Sequence, residues 1–199
     1  MSYAIVGFGK IGQALAQAFA RKNIDVTVAG RRLPEALASQ ARAIGPRVVA
    51  TSLQDALAAD TIILAVPFEE HHAVASALPN WGGKTIIDTM NTLVSPEELD
   101  GLPSSAFVAK AFTGAKVVKA FNHLIAAKLA SDPVVEGGHR VVFLSSDDED
   151  ATAPVAALAK QLGFAPVKLG KLNEGGALVQ ARGGVWGQLI FQDVFKKEP

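Results

Sequence analysis

The chain has 199 residues, 49% of them hydrophobic, and its 19 basic side chains balance 19 acidic ones. That length can bury one sizeable core, and the neutral balance gives no overall attraction to nucleic acid or to an anionic membrane. Cysteine is absent, which excludes disulfides, thiolate metal sites and cysteine nucleophiles.

Met1 to Gly7 lacks the basic start and apolar stretch of a secretory leader. No apolar run reaches the ~18 residues that span a bilayer. The expectation is a cytoplasmic protein with no membrane and no nucleic-acid partner.

Short apolar runs alternate with alanine-rich stretches of helical period. Strands are expected at Tyr3–Val6, Asp25–Ala29, Val48–Ala50, Thr61–Val66 and Lys84–Asp88. The intervening helices are Lys10–Arg21, Pro34–Ile44, Leu53–Ala59 and Glu69–Leu78. Proline suits the first turn of the second helix, and Gly45-Pro46 ends it. Beyond the fifth strand the pattern is less regular. Helices are expected at Pro96–Asp100, Ser104–Phe112, Leu124–Ser131 and Ala151–Leu162, the last preceded by the acidic run Asp147–Asp150. Strands are expected at Val117–Phe121, Arg140–Leu144 and Ala165–Leu169, and a final helix at Trp186–Phe195. Strands separated by helices of this length imply a parallel sheet covered on both faces. The fold expected is α/β, a Rossmann-type doubly wound, mainly parallel sheet. Residues 1–169 would form it, and residues 170–199 a short C-terminal extension.

Gly7-Phe8-Gly9-Lys10-Ile11-Gly12 is G-x-G-x-x-G, set between the first strand and the first helix. That context gives the pattern its meaning. Gly7 permits the turn, Gly9 admits a diphosphate close to the backbone, and Gly12 lets helix and strand pack closely. The helix N-terminus offers unpaired N–H groups to the diphosphate.

The end of the second strand distinguishes between dinucleotides. An acid there accepts hydrogen bonds from the 2′-hydroxyl of NAD. Here Val28-Ala29 is followed by Gly30-Arg31-Arg32. Guanidinium groups suit a 2′-phosphate, so NADP(H) is the expected cofactor, with Arg31 ahead of Arg32. The alternative is a pair of solvated arginines.

Ligands of such sheets sit beyond the carboxyl ends of the strands. Ala65-Val66-Pro67 could wall the cofactor or simply end the fourth strand. Asn91 and Asn122, after the fifth and sixth strands, could touch a ligand or cap local turns. His71 could reach a pocket rim, while His72 and His139 read as surface. His123 could touch substrate or be a buried structural histidine. Lys119 could move a proton or sit at an exposed strand edge. No metal-ligand spacing and no nucleophile elbow occur.

The segments Ile5–Gly12, Gly30-Arg31-Arg32, Ala65-Val66-Pro67 and Val118-Lys119-Ala120-Phe121-Asn122 together resemble the NADP oxidoreductases that depend on coenzyme F420. The resemblance runs over nearly the whole chain. It implies hydride transfer between NADPH and a stacked deazaflavin (coenzyme F420) or flavin (FMN or FAD), a small-molecule redox acceptor, and a homodimer. It places Gly9, Lys10, Ile11, Arg31, Arg32, Val66 and Pro67 along NADP. It places Asn91, Asn122 and the Ala177–Trp186 region beside the second ring, with the extension of residues 170–199 closing that ring pocket and contributing to a dimer. One departure is Asn91-Thr92, where the family often has Asn-Pro. Two other readings compete: a reductase of a small imine or hydroxyacid, and a non-enzymatic NADP(H) sensor.

Overall fold

The computed structural model describes residues 1–92, 94 and 97–180. In chain order the first half comprises β1 (Tyr3–Val6), α1 (Lys10–Arg21), β2 (Val26–Ala29), α2 (Pro34–Ile44), β3 (Val48–Ala50), α3 (Leu53–Ala56), β4 (Thr61–Leu64), α4 (His71–Ala75) and β5 (Thr85–Asp88). The second half comprises α5 (Ser104–Ala111), β6 (Lys116–Ala120), α6 (Ala126–Ala130), β7 (Val134–Val135), β8 (Gly138–His139), β9 (Val141–Ser145), α7 (Glu149–Gln161) and β10 (Ala165–Lys168).

Eight strands form one sheet in the order β10-β9-β6-β5-β4-β1-β2-β3. All neighbours run parallel except β6 and β9. The Rossmann-type, mainly parallel fold expected from the sequence is the one found. β1 pairs with both β2 and β4, so the chain reverses its direction of travel across the sheet at this point. The reversal opens a crevice beyond the carboxyl ends of β1 and β4.

Successive strand residues point to opposite faces, and the core divides accordingly. Ile5, Val28, Ile63, Ile87 and Val118 meet Leu15, Phe19, Leu37, Val155 and Leu158 on one face. Ala4, Val6, Ile62, Leu64, Ile86 and Val117 meet Leu57, Val74, Trp81, Val108 and Phe112 on the other. Buried on both faces, these strands have no polar alternation.

Several expected elements differ. The helix expected at Glu69–Leu78 is a 3₁₀ turn (Phe68–Glu70) followed by the short α4. Trp81 Nε1 donates to Ala75 O at 2.9 Å and secures the end of α4. The Pro96–Asp100 helix is not formed over its described residues: 97–100 are turns, and Asp100 and Gly101 both have positive φ, 51° and 71°. α7 begins earlier than expected because the Asp148 side chain accepts from Asp150 N and caps it. Glu149 and Asp150 then occupy the first turn, where the helix dipole favours acids. The β7–β8 hairpin has no counterpart among the expected elements. Its two-residue turn, Glu136-Gly137, has positive φ at both positions, the geometry that suits tight hairpins. The helix expected at Trp186–Phe195 lies outside the described residues.

Two histidines are buried in the fold. His71 pairs through Nδ1 with Phe68 O, and burial holds its pKa below the ordinary value. His123 is 1% exposed, bonds Val141 O through Nε2, and lies 4.9 Å from the Phe143 ring. Burial pushes its pKa down to about 4 from 6.5, against the opposing pull of the Val141 carbonyl. Between those values the unfolded chain binds a proton that the folded chain does not. The stabilisation is therefore present above pH 6.5 and is lost as pH falls towards 4. The shift corresponds to about 3 kcal/mol at most. Urea unfolding midpoints should fall between about pH 7 and about pH 4.5, and His123→Gln should flatten that decline.

Candidate functional site

The crevice at the switch point is built from a backbone collision that only glycine avoids. A Cβ on Gly7 (φ 102°) would lie 2.3 Å from Ala65 O, and one on Gly12 would lie 1.9 Å from Gly7 O. Gly7 N donates to Ala29 O at 2.8 Å, and Gln13 Nε2 donates to Phe8 O at 3.0 Å. These bonds fix the turn against β2 and α1. Gly9 differs from its two neighbours: nothing lies within 4 Å of its Cβ direction. Gly9 is also the N-cap of α1, with no side-chain cap and no acid in the first turn. Open space, uncapped N–H groups and a positive dipole end therefore coincide, which fits a diphosphate.

Two cavities flank this turn and share Ala65 and Val66 as a dividing ridge. The first, about 540 Å³, is bounded by the Gly7-Phe8-Gly9 turn, Gly30-Arg31-Arg32, Pro67 and Glu70. No acid stands at the end of β2. Arg31 is highly exposed and pairs loosely with Glu70 at 3.7 Å. Arg32 donates to Gln40 Oε1 at 3.1 Å. The second cavity, about 410 Å³, is bounded by Lys10, Ile11, Thr89, Met90, Asn91, Asn122 and the apolar Leu124–Ala126 segment.

Of the residues expected to bind the cofactors, Gly12 alone lines neither cavity; its part is the close packing of α1 on β1. Asn91 and Asn122 do more than cap turns. Asn91 Nδ2 donates to Asn122 O at 2.7 Å, while Asn122 Nδ2 donates to Asn91 Oδ1 at 3.2 Å and to Val179 O at 2.9 Å. Gln180 Oε1 accepts from the Ser104 backbone N at 2.9 Å and from its hydroxyl at 3.1 Å. Val179 is thereby tied to the rim of the second cavity, and Gln180 to the start of α5. Residues 181–186 of the expected Ala177–Trp186 border lie outside the described residues.

His71 and His123 are buried and line neither cavity. Lys119 is not at an exposed edge. It is 1% exposed and donates to Asp88 Oδ2 at 3.1 Å and to Met90 O. β6 is an interior strand, flanked by β5 and β9, and its residues 117–120 are all buried. The lining also includes residues outside the expected set, among them Glu70, Thr89 and Met90. Each of these three lies within a few residues of a strand end already marked, so extending the strand-end rule past β4 and β5 would have found them. Among the described residues no group of histidines and acids could hold a metal ion, and no helix is long and apolar enough to cross a membrane.

A crystal structure of a hypothetical protein, SMa0349 from Sinorhizobium meliloti, is similar over 90% of each chain, with 43% identity and a TM-score of 0.86. A candidate F420-dependent NADP-reductase from Arthrobacter sp. FB24 is similar over 98% of this chain and 91% of its own, with 27% identity and a TM-score of 0.72. Residues 2–92 match the family described as NADP oxidoreductase, coenzyme F420-dependent. The N-terminal part of the chain, through β5, carries this family's pattern. Rat metalloreductase STEAP3 is 29% identical over 171 residues, which are 84% of this chain and 33% of that protein. The chain thus spans about a third of the length of the curated relatives it matches. Within the family match lie the glycine turn, the two arginines and the Ala65–Val66 ridge.

Gly12 and Gly9 should separate on mutation. Gly12→Ala meets backbone and should cost more than about 3 kcal/mol of stability. Gly9→Ala meets open space, so its melting temperature should change by only about 2 °C, while dinucleotide affinity falls about tenfold or more. Thermal melts paired with calorimetric titration of NADPH would check both.

Proposed function

We propose that this chain binds NADP(H) across the Gly7–Gly12 turn and catalyses hydride transfer between its nicotinamide and a stacked deazaflavin or flavin. The observation that carries this reading is the pair of cavities meeting at the Ala65–Val66 ridge. The first has arginine at the end of β2 and suits a phosphorylated adenosine ribose. The second is largely apolar and suits planar rings.

Arg31 and Arg32 would hold the 2′-phosphate. The Gly9 backbone and the first turn of α1 would hold the diphosphate. Val66 would separate the two ends of the cofactor. Ile11, Met90, Leu124 and Ile125 would exclude water from the rings, with Asn91 and Asn122 at their rim. When bound, NADPH supplies a hydride and the second ring accepts it, chemistry that belongs to the cofactors. The chain contributes positioning and exclusion of water.

The composition of the second cavity favours this reaction over reduction of an imine or hydroxyacid. Lys10 is the one ionisable side chain among the described residues that line it, and it stands in the first turn of α1 where the diphosphate would sit, whereas those substrates want a proton donor positioned at the reacting group. The reading extends to a small-molecule acceptor, a homodimer in the cytoplasm, and residues 170–199 as the segment that closes the ring pocket. Their described part already contacts Asn122 and Ser104.

Two measurements test the proposal. Arg31→Ala should raise the KM for NADPH about 10- to 100-fold and leave that for NADH nearly unchanged; equal effects would remove the 2′-phosphate contact. NADPH absorbance should fall on addition of coenzyme F420, FMN or FAD. Tight NADPH binding without turnover on any ring would favour a sensor, and turnover on a cyclic imine would favour the competing reductase.

A further inference from the structure

The Lys119–Asp88 pair is unlike the pairs Met1–Asp60, Arg31–Glu70, Arg47–Asp25 and Lys116–Asp148, whose side chains are all substantially exposed. Lys119 is 1% exposed and Asp88 is fully buried. The two face each other in register across β5 and β6. Burying an ammonium and a carboxylate removes both from water, and well-packed apolar residues of the same size are often as stable or more so. Stability alone therefore gives no reason for this pair at the sheet's carboxyl end.

What the pair holds is the backbone of one residue. Asp88 Oδ1 accepts from Met90 N at 2.9 Å, and Lys119 Nζ donates to Met90 O. Asp88 Oδ2 also accepts from Ser105 Oγ at 2.7 Å, which completes the carboxylate. Both main-chain polar groups of Met90 are thus gripped from beneath. Thr89, Met90 and Asn91 form one wall of the second cavity. Phe121, next along the chain after Ala120, is fully buried yet lies in the left-handed region at φ 62°. A bulky residue there is strained. That turn brings Asn122 against Asn91.

We infer that Lys119 and Asp88 are positioning residues for the ring pocket, fixing the Met90 backbone and with it the wall against which the nicotinamide is held. The inference rests on the functional reading above. An apolar replacement would fill the volume and leave the Met90 carbonyl without its anchor. The ring wall would loosen while the distant adenosine end stayed intact.

The test is the double variant Lys119→Met with Asp88→Asn, which removes both charges together and so leaves neither unpaired. The new amide at position 88 would still offer an acceptor to Met90 N. NADPH is titrated into wild type and variant, reading affinity by calorimetry and ring immobilisation by nicotinamide fluorescence anisotropy. The expected result is a Kd within about 3-fold of wild type, with the bound-state anisotropy falling well below the wild-type value. Single-turnover hydride transfer to the acceptor used by wild type should slow ~10- to 100-fold. A folded variant with unchanged anisotropy and rate overturns the inference. So does one in which affinity falls as steeply as the ring signal, since that reports general damage. Should the double variant not fold, Ser105→Ala decides. It removes one donor from Asp88 without unpairing a charge, and should give a smaller anisotropy loss at unchanged Kd; no loss overturns the inference. Failure of wild type to bind NADPH would instead overturn the functional reading, and the inference with it.

Discussion

The close approach of β1 and β4 at their carboxyl ends governs the rest of the molecule. Gly7 passes so near Ala65 that no side chain fits between them. This contact sets the floor of the crevice at the point where the sheet changes direction. Because the strands lie so close, the chain leaving β4 emerges as a ridge, and the space above the sheet becomes two cavities. The glycine turn lies along their boundary, and α1 starts there with its N–H groups uncapped. A ligand spanning both cavities must therefore place its middle over the helix N-terminus, where negative charge is most favoured. A dinucleotide has its diphosphate at that middle. The fit follows from the backbone and needs no particular side chain.

The two cavities are then differentiated by what the neighbouring strands deliver. On one side β2 ends in glycine and arginine, exposed and loosely held. On the other, β5 and β6 end in a fully buried network of Asp88, Lys119, Ser105 and the Met90 backbone. The contrast suits what each cavity would hold. A phosphate can be bound by mobile guanidinium groups in water. A ring that must present one carbon to another needs a wall fixed to within fractions of an ångström.

Legibility in the sequence followed the range of the interaction. The glycine turn, the arginines after β2 and the apolar strands are local patterns, and each appears where expected. The Lys119 environment was not legible. Lysine is seldom buried, and the residues that bury it lie about thirty positions away, brought together only by the β5–β6 register. The Asn91–Asn122 pair hid for the same reason, since both residues serve equally well as turn caps when read alone. His123 was misleading in the opposite sense. Its place after a strand end suggested contact with substrate, but the antiparallel return of β9 puts Val141 and Phe143 over it. The strand direction that causes this is a property of the tertiary fold.

Cofactor choice at the first cavity depends on two preferences that act in the same direction. Without an acid at the end of β2, the 2′-hydroxyl of NAD loses the acceptor that such sites normally supply. With arginine there, a 2′-phosphate gains charge-assisted donors. Glu70 complicates the picture because it bounds the same cavity from the other wall. Its pairing with Arg31 is long and solvent-exposed, and such pairs contribute little. A phosphate carrying nearly two charges competes for the same guanidinium on better terms than one distant carboxylate. Glu70 therefore sets no strong barrier to that exchange, and on the proposed reading discrimination would arise as a difference between two ligands at one guanidinium.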